Sequence, residues 1–205
     1  MTHLSIDVVA LPSERSEEAA LVLADAFLDD PAWKAIGPDR ERGRLRLLRS
    51  FYRIAVREAL HHGGPSWCAT VAGELVGVAL VFGDGLTYPP PRANVVEGWP
   101  FLVAGPGPAL RGLRVDALMK SRHPHEPHAY LWQLVAHPSV QRQGVGRALL
   151  GNVLADAERR ESPVYLETAR SENVPYYGSF GFEVLSEAPL PRGANMWFME
   201  RPAPR

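Results

Sequence analysis

The sequence has little of what marks secreted or membrane proteins. Its one cysteine, Cys68, excludes an internal disulfide bond and is consistent with a reducing compartment. The longest apolar run, Leu75 to Phe82, is far shorter than the roughly 20 residues that cross a bilayer. The first residues, Met1 to Asp7, lack the basic start and the apolar stretch of a secretory signal. We therefore expect a cytoplasmic protein with no membrane partner.

An excess of charge of one sign is also absent. The 22 lysines and arginines nearly balance the 23 aspartates and glutamates, so the formal net charge is -1 at pH 7. Such a chain has no global attraction to polyanions, which could bind only locally. Five arginines recur at helical spacing, namely Arg42, Arg46, Arg49, Arg53 and Arg57. A solvent-exposed helix face explains this row without a ligand, and we expect no nucleic-acid partner.

The apolar pattern predicts strands and helices in mixed order. Strands are predicted at 6–10, 66–71, 75–82, 128–135, 164–168, 182–186 and 195–200, and helices at about 16–28, 40–61, 99–103, 108–119, 146–160 and 173–180. Residues 83–100 are predicted to form a Pro- and Gly-rich loop. With 205 residues, 46% of them hydrophobic, the chain can bury a full core. The order predicts an α/β or α+β domain whose central sheet is covered by helices.

The most informative segment runs from Leu131 to Leu150. An apolar run ends at His137-Pro138, a turn containing Gly144 and Gly146 follows, and apolar residues at helical spacing begin there. The first amides of a helix have no intrahelical acceptor and lie at the positive end of its dipole, so they can bind a phosphate. Glycines let the ligand approach. The segment predicts an anion site, although a turn without a ligand also fits it.

Two common nucleotide motifs do not fit this turn. A P-loop ends in Gly-Lys-Ser/Thr, whereas Gly146 is followed by Arg147. A dinucleotide motif has Gly or Ala three residues after its second glycine, where Leu149 stands. Instead, Gln141-Arg-Gln-Gly-Val-Gly146 resembles the Gln/Arg-x-x-Gly-x-Gly/Ala signature of the GNAT superfamily of acyl-CoA N-acyltransferases. Tyr176-Tyr-Gly-Ser-Phe-Gly-Phe182 resembles the family's Tyr-x-x-x-Gly-Phe ending.

The resemblance is strongest from about residue 122 to 200. Glu126-Pro127, Leu166-Glu-Thr168 and Trp197-Phe-Met199 are most similar to puromycin N-acetyltransferase-like members of the superfamily. The resemblance implies one N-acetyltransferase domain over residues 1–205, with a mostly antiparallel mixed sheet that splays open for acyl-CoA. Helices and loops at about 13–120 would form the acceptor side, and residues 122–200 the acyl-CoA core.

The resemblance also implies where acetyl-CoA binds. Its pantetheine arm would lie along Leu134, Val135 and Ala136, and the Val135 N–H would donate to the oxyanion. The pyrophosphate would be held by Gln141, Arg142, Gln143, Gly144, Val145, Gly146 and Arg147. Asn173 would either hydrogen-bond the pantetheine or cap its own helix.

Candidates for proton transfer are fewer. Tyr177 aligns with the tyrosine that protonates the coenzyme A thiolate, and a phenol with a pKa of about 10 can donate at neutral pH; its alternative role is aromatic packing. Tyr130 and Trp132 occupy strand positions where some relatives carry Glu or His. Glu167, on the next strand, is therefore the candidate base, directly or through a water. It could equally make a structural hydrogen bond, and an amine that arrives partly deprotonated would need no base.

The acceptor side is expected to be aromatic and acidic. Its candidates are Phe27, Trp33, Tyr88, Trp99, Asp29 and Asp30, although core packing and a helix end also explain them. Three histidines, His123, His125 and His128, fall within six residues, but their spacing does not match that of zinc sites, and we expect no metal.

The sequence therefore predicts an acetyl-CoA-dependent N-acetyltransferase. It would acetylate the primary amine of a small molecule by direct attack in a ternary complex, as a monomer or homodimer. Two alternatives remain: an acyl-CoA-binding sensor without turnover, suggested by the missing base on the strand, and an enzyme that acetylates a protein N-terminus or lysine.

Overall fold

The fold was analysed in a computed structural model that describes residues 5–62, 64–83 and 91–204. The strands are β1 Asp7–Ala10, β2 Trp67–Val71, β3 Glu74–Phe82, β4 Ala129–Ala136, β5 Val164–Thr168, β6 Glu183–Pro189 and β7 Asn195–Arg201. The helices are α1 Ser16–Ala26, α2 Pro31–Ile36, α3 Glu41–His62, α4 Pro91–Ala104, α5 Pro106–Arg122, α6 Val145–Arg159 and α7 Asn173–Gly178. No helix among these described residues is long and apolar enough to cross a membrane.

The seven strands form one sheet in the order β1-β2-β3-β4-β5-β7-β6. All neighbouring strands are antiparallel except β4 and β5, which run parallel. The predicted mostly antiparallel mixed sheet with covering helices is therefore confirmed.

Helices cover the sheet on both faces. Helices α1, α2 and α3 share one buried cluster with Val78 and Tyr130 of the sheet. Helix α6 packs on the other face, where Val81 and Leu131 belong to the second cluster. The alternation of side chains along β3 and β4 produces these two faces, because successive residues of a strand point to opposite sides.

Helix α3 follows the predicted pattern closely. Tyr52, Ala55 and Ala59 are fully buried on one side. On its other side, Arg49 and Arg53 lie 3.6 Å and 2.7 Å from carboxylates of α1. Ion pairs within the chain therefore account for part of the arginine row.

Helix α4 contains the predicted helix at 99–103 but begins earlier, and helix α2 was not predicted. Helix α4 begins at Pro91, so the predicted loop over 83–100 is wrong from residue 91 onward; residues 84–90 lie outside the described part. Helix α2 is capped by the Asp30 carboxylate, which accepts from the amides of Ala32 and Trp33. The sequence Asp30-Pro31 is a helix start as well as a helix stop, because proline is favoured at the first helical position.

The sheet opens between β4 and β5. These strands pair only through Ala129 with Val164 and Tyr130 with Tyr165. Strand β4 continues to Ala136 alongside β3. One edge of β4 therefore lacks a strand partner beyond residue 130 among the described residues.

A β-bulge lies inside β4 at the start of this opening. Val81 of β3 pairs with Leu131, but the preceding Leu80 pairs with Gln133, so Trp132 is an extra residue in β4. Bulges re-aim the groups that follow them and are frequent beside active sites.

Helix α6 approaches β3 most closely at Gly77. A Cβ atom there would lie 2.6 Å from Val145 Cγ1 and 2.9 Å from Leu149 Cδ1. Both partners belong to the first turns of α6, so this glycine brings the start of the helix close to the sheet.

Gly77→Ala is expected to destabilise the fold by about 1 to 3 kcal/mol, because an added methyl group overpacks this contact. Gly151 lies on the exposed face of α6, and a Cβ there would meet nothing within 4 Å. Gly151→Ala should be neutral or stabilising by up to about 1 kcal/mol. Urea unfolding of the two variants measures the difference, and an equal response would contradict close packing at Gly77.

Candidate active site

The hydrogen bonds at the end of β4 determine which of its backbone groups face the opening. The amide of His137 donates to the carbonyl of Val76 at 2.7 Å, one residue beyond the last β3–β4 pair. Residues of an antiparallel strand direct their N–H and C=O alternately to one edge and the other. The backbone groups of Val135 therefore face β3, and those of Leu134 face the opening.

A side-chain contact supports this assignment. The carbonyl of Ala136, which the alternation also directs into the opening, accepts from Gln141 Nε2 at 3.3 Å. The register contradicts the expectation that the Val135 N–H is the oxyanion donor, because the ladder with β3 occupies that N–H. The amides that face the opening after the bulge belong to Leu134 and Ala136, and that of Leu134 lies nearer the middle of the strand.

The turn after β4 leads directly to the start of α6. Gly144 is the N-cap and has a φ of 95°, in the left-handed region that glycine adopts easily. Its carbonyl accepts the amide of Ala148 at 2.9 Å, so the helix begins there. The predicted strand, turn and helix start are all present.

The turn residues fit a bound pyrophosphate. The amides of Val145, Gly146 and Arg147 lie in the first turn of a 15-residue helix, where no intrahelical acceptor is available. Arg142 is exposed, and the Arg147 guanidinium lies 4.9 Å above the ring of Phe180. Amide donors and two arginines within one turn match the chemistry of a phosphate ligand.

The two tyrosines of α7 have different surroundings. Tyr177 is buried edge-on against Phe182, with ring centroids 5.6 Å apart, and burial raises the pKa of its phenol. The Tyr176 hydroxyl is buried without a hydrogen-bond partner in the described structure, and it would lie 3.5 Å from a Cβ at Gly146. Burial also raises the pKa of Tyr176, while Arg147 lowers it. The sequence motif did not show that Tyr176 reaches the start of α6.

Asn173 has a role that the sequence did not predict. Its side-chain amide donates to Thr168 Oγ1 at 3.1 Å. Glu172 precedes the helix as N-cap, so Asn173 does not cap α7. The contact connects α7 to the end of β5.

Glu167 lies on β5 just beyond the last β4–β5 pair. Its side chain is only 4% exposed. Tyr130, across the opening on β4, donates its hydroxyl to Glu167 Oε2 at 2.7 Å. His123 Nδ1 lies 3.9 Å from Glu167 Oε1. Neither contact was predicted from the sequence. Tyr130 was noted only because it stands where some relatives carry Glu or His, and His123 only as one of three clustered histidines.

The predicted acceptor residues are divided between core and surface. Trp33 is buried and stacks on Phe101 at 5.9 Å, and Phe27 stacks on Tyr52 at 5.6 Å. Trp99 is 63% exposed, and Tyr88 lies outside the described residues. Phe27 and Trp33 therefore both pack against Tyr52, whereas the side chain of Trp99 is exposed.

The two aspartates after α1 also differ. Asp30 caps α2, and burial raises its pKa although Arg170 lies 3.5 Å away. Asp29 is exposed, and its salt bridge to Lys34 at 2.7 Å lowers its pKa. Asp29 lines a surface cavity of about 630 Å³ between α2 and the β6–β7 turn, together with Pro31, Lys34, Ala35, Asp39, Arg44, Arg192, Gly193 and Ala194.

Comparisons with known proteins agree with this geometry. A sequence model of the acetyltransferase (GNAT) family matches residues 29–182. A Corynebacterium glutamicum protein, described as a histone acetyltransferase and related acetyltransferase, is 25% identical over 98% of each chain, with a TM-score of 0.74.

Two other solved structures share the fold at lower identity. Arylalkylamine N-acetyltransferase 2 from Aedes aegypti is 14% identical over 96% of this chain and 98% of its own, with a TM-score of 0.63. The yncA protein of Salmonella typhimurium, solved with its cofactor acetyl-CoA, is 16% identical over 98% of this chain and 95% of its own, with a TM-score of 0.59.

Proposed function

Because the chain belongs to the acetyltransferase (GNAT) family, we propose that it transfers the acetyl group of acetyl-CoA to the primary amine of a small molecule. It is a GNAT-type acyltransferase, and acetyl-CoA is the acyl donor of such enzymes. We also propose that helices and loops at about 13–120 form the acceptor side and that residues 122–200 form the acyl-CoA core.

The observation that carries the proposal is the open edge of β4 beside the N-terminus of α6. The amide of Leu134 faces the opening, and the free amides of α6 lie after the same strand. Acetyl-CoA lying along β4 would place its thioester carbonyl oxygen near the Leu134 amide. Its pyrophosphate would reach the first amides of α6. The thioester supplies the acetyl carbon that the amine attacks.

The protein groups then have separate tasks. The Leu134 N–H stabilises the negative charge that develops on the carbonyl oxygen, which a fixed backbone dipole does well. Tyr177 donates a proton to the departing sulfur, and Glu167 accepts one from the attacking nitrogen. The position of Glu167 supports this assignment, because it lies on β5 just beyond the last β4–β5 pair, where the sheet opens.

The cavity beside α2 supports a small acceptor. Its volume of about 630 Å³ is in the range of small-molecule sites. The carboxylates of Asp29 and Asp39 on its wall pair with Lys34 and Arg192, at 2.7 Å and 2.6 Å, so the wall is polar without an excess of negative charge. The contact between Asp30 and Arg170, just past β5, brings α2 to the side of the sheet opening.

Release of free coenzyme A with a panel of amines tests the proposal. We expect release with acetyl-CoA and at least one small primary amine, and puromycin belongs in the panel because of the likeness at Leu166-Glu-Thr168 and Trp197-Phe-Met199. A thiol reagent can follow the reaction, since Cys68 is fully buried and should react slowly. Acetyl-CoA at 100 times its Kd should also stabilise the fold by about 2.7 kcal/mol.

The two measurements separate the rival functions. Stabilisation by acetyl-CoA without release for any amine would identify a sensor. No stabilisation at millimolar acetyl-CoA would contradict the binding site itself.

Acetylation of a protein is the second candidate function. It is favoured by the similarity to the Corynebacterium glutamicum protein that is described as a histone acetyltransferase. Lysine-containing and N-terminal peptides in the same assay decide between the two. A kcat/KM for peptides above that for small amines would replace the small-molecule proposal.

A further inference from the structure

The cavity beside α2 contains a buried arginine. Arg44, near the start of α3, is only 7% exposed and lies on the cavity wall. Its stem passes close to the backbone at Gly37, where an added Cβ would lie 3.2 Å from Arg44 Cγ. Charged side chains are rarely buried without a partner of opposite charge. The partners of Arg44 therefore indicate what this part of the cavity can bind.

Backbone carbonyls are the hydrogen-bond partners of the Arg44 guanidinium. Nε donates to the carbonyl of Leu28 at 2.8 Å, and Nη1 donates to the carbonyls of Pro38 and Asp39 at 3.2 Å and 3.3 Å. These bonds use the hydrogens of Nε and Nη1, but a guanidinium carries further hydrogens on Nη2. Within the described part of the chain, Nη2 has no acceptor and no carboxylate pairs with Arg44.

The other charges of the cavity wall are already paired. Asp29 lies 2.7 Å from Lys34, and Asp39 lies 2.6 Å from Arg192. The hydrogen bond from Lys34 is the main cause of the lowered pKa of Asp29, and the charge of Arg44 contributes to it only at longer range. The two ion pairs cancel, so the positive charge of Arg44 is the excess charge of the wall.

A further arginine adds positive charge to this side of α2. Arg111 of α5 donates to two carbonyls at the end of α2. Burial and the charge of Arg192 lower the pKa of Arg111, while Asp39 raises it, so Arg111 lies near the Arg192–Asp39 pair. Asp30 faces Arg170 instead, at 3.5 Å. The surroundings of the cavity therefore favour an anionic group.

We propose that the acceptor of this enzyme is an amine that also carries a carboxylate, as amino acids do, and that Arg44 Nη2 donates to this carboxylate in the cavity. The inference rests on the proposed function, in which the cavity holds the acceptor. A carboxylate oxygen can accept from Nη2 without displacing the backbone carbonyls. Asp29 and Asp39 on the same wall would repel a dianion such as a phosphate more strongly than a single carboxylate.

This role concerns specificity and not the chemical step. Because the cavity lies on the side of the sheet opening, a carboxylate bound to Arg44 leaves the amine of the same molecule to extend toward the thioester. Arg44 orients the acceptor and takes no part in the proton transfers.

Matched substrates test the proposal on the unaltered protein. Amino acids whose amine and carboxylate are separated by chains of different length are compared with their carboxamides in the coenzyme A release assay. We expect at least one amino acid to have a kcat/KM about 10-fold or more above that of its carboxamide, because a charge-assisted hydrogen bond is lost in the amide. An equal or higher kcat/KM for every carboxamide would overturn the proposal, and so would a preference for O-phosphoethanolamine over all the amino acids.

Arg44→Gln tests the residue itself. It should lower kcat/KM for the preferred amino acid by about 10-fold or more, and change that for its carboxamide and the KM for acetyl-CoA by less than about twofold. Differences in amine basicity cancel when the variant is compared with the parent enzyme. Arg46→Gln is the matched control, because Arg46 is exposed on the same helix and does not line this cavity. An equal fall for amino acid and carboxamide would show that Arg44 only supports the fold, and would overturn the proposal.

A binding measurement makes the test independent of turnover and of the variant. Calorimetric titration of the parent protein uses the N-acetylated amino acids of the panel and their carboxamides. We expect at least one carboxylate to bind about 10-fold or more tightly than its carboxamide. No preference for the carboxylate in any pair would overturn the proposal, even if Arg44→Gln did not fold. If no amine is acetylated at all, the proposed function fails, while the titration still decides whether the cavity binds a carboxylate.

Discussion

Tyr177→Phe is expected to lower kcat by a factor of about 10² to 10⁴ while leaving the affinity for acetyl-CoA nearly unchanged. The substitution removes only the hydroxyl, so the ring can still pack edge-on against Phe182. Because burial raises the pKa of Tyr177, the phenol of the parent enzyme stays protonated through neutral and mildly alkaline pH. Its ionisation should therefore cause no loss of rate as the pH rises toward 9. Steady-state kinetics and calorimetric titration with acetyl-CoA measure the two effects.

Tyr176→Phe is the matched control for this result. The two tyrosines are adjacent, and their rings lie 5.2 Å apart. Tyr176 points its hydroxyl at the start of α6, so its loss should affect acetyl-CoA binding more than kcat. The opposite outcome, with a large fall in kcat for Tyr176→Phe and a small one for Tyr177→Phe, would assign the acid to Tyr176.

Leu134→Pro is expected to lower kcat by about 10² to 10³ without unfolding the protein, because it removes one oxyanion donor. Proline has no N–H, and the Leu134 N–H faces the opening and makes no bond in the ladder with β3. Leu134→Ala keeps the amide and loses a comparable side chain, so it controls for packing. Single-turnover kinetics with acetyl-CoA bound isolates the chemical step.

Val135→Pro gives the contrasting result. The Val135 amide belongs to the ladder with β3, so proline there should destabilise the sheet and lower the melting temperature. If Val135→Pro folded normally and lost activity while Leu134→Pro did not, the oxyanion donor would be Val135, as the sequence suggested.

The elements of the fold were predictable where the sequence is locally periodic. Helix α3 has apolar residues at regular helical spacing. The segment from β4 into α6 has them too, and a glycine-containing turn separates its strand from its helix. The first part of helix α4 was missed because its prolines and glycine are typical of a loop, and its interior contains Pro100. It forms because it packs against α3 and α5, and such tertiary contacts override local preference.

The site was only partly predictable. The sequence motif located the phosphate turn and the tyrosine pair, since these depend on residues close together in the chain. The partners of Glu167 are His123, directly after α5, and Tyr130 on β4, which precede it by 44 and 37 residues. No periodicity connects residues that are so distant. The direction of each amide along β4 depends on the bulge, which leaves no recognisable trace in the sequence.

That bulge has a consequence for how this strand can vary in length. Before Trp132, odd-numbered residues such as Ala129 direct their amides toward β5, and after it the even-numbered ones do. Because Trp132 is the extra residue, a strand without it would pair Leu131 with Val81 and Gln133 with Leu80 as consecutive residues of a regular ladder. Deletion of Trp132 alone should therefore leave the Leu134 amide at the opening, whereas an insertion would need a wider bulge to keep it there. A one-residue shortening of β4 at the bulge should be tolerated better than a lengthening.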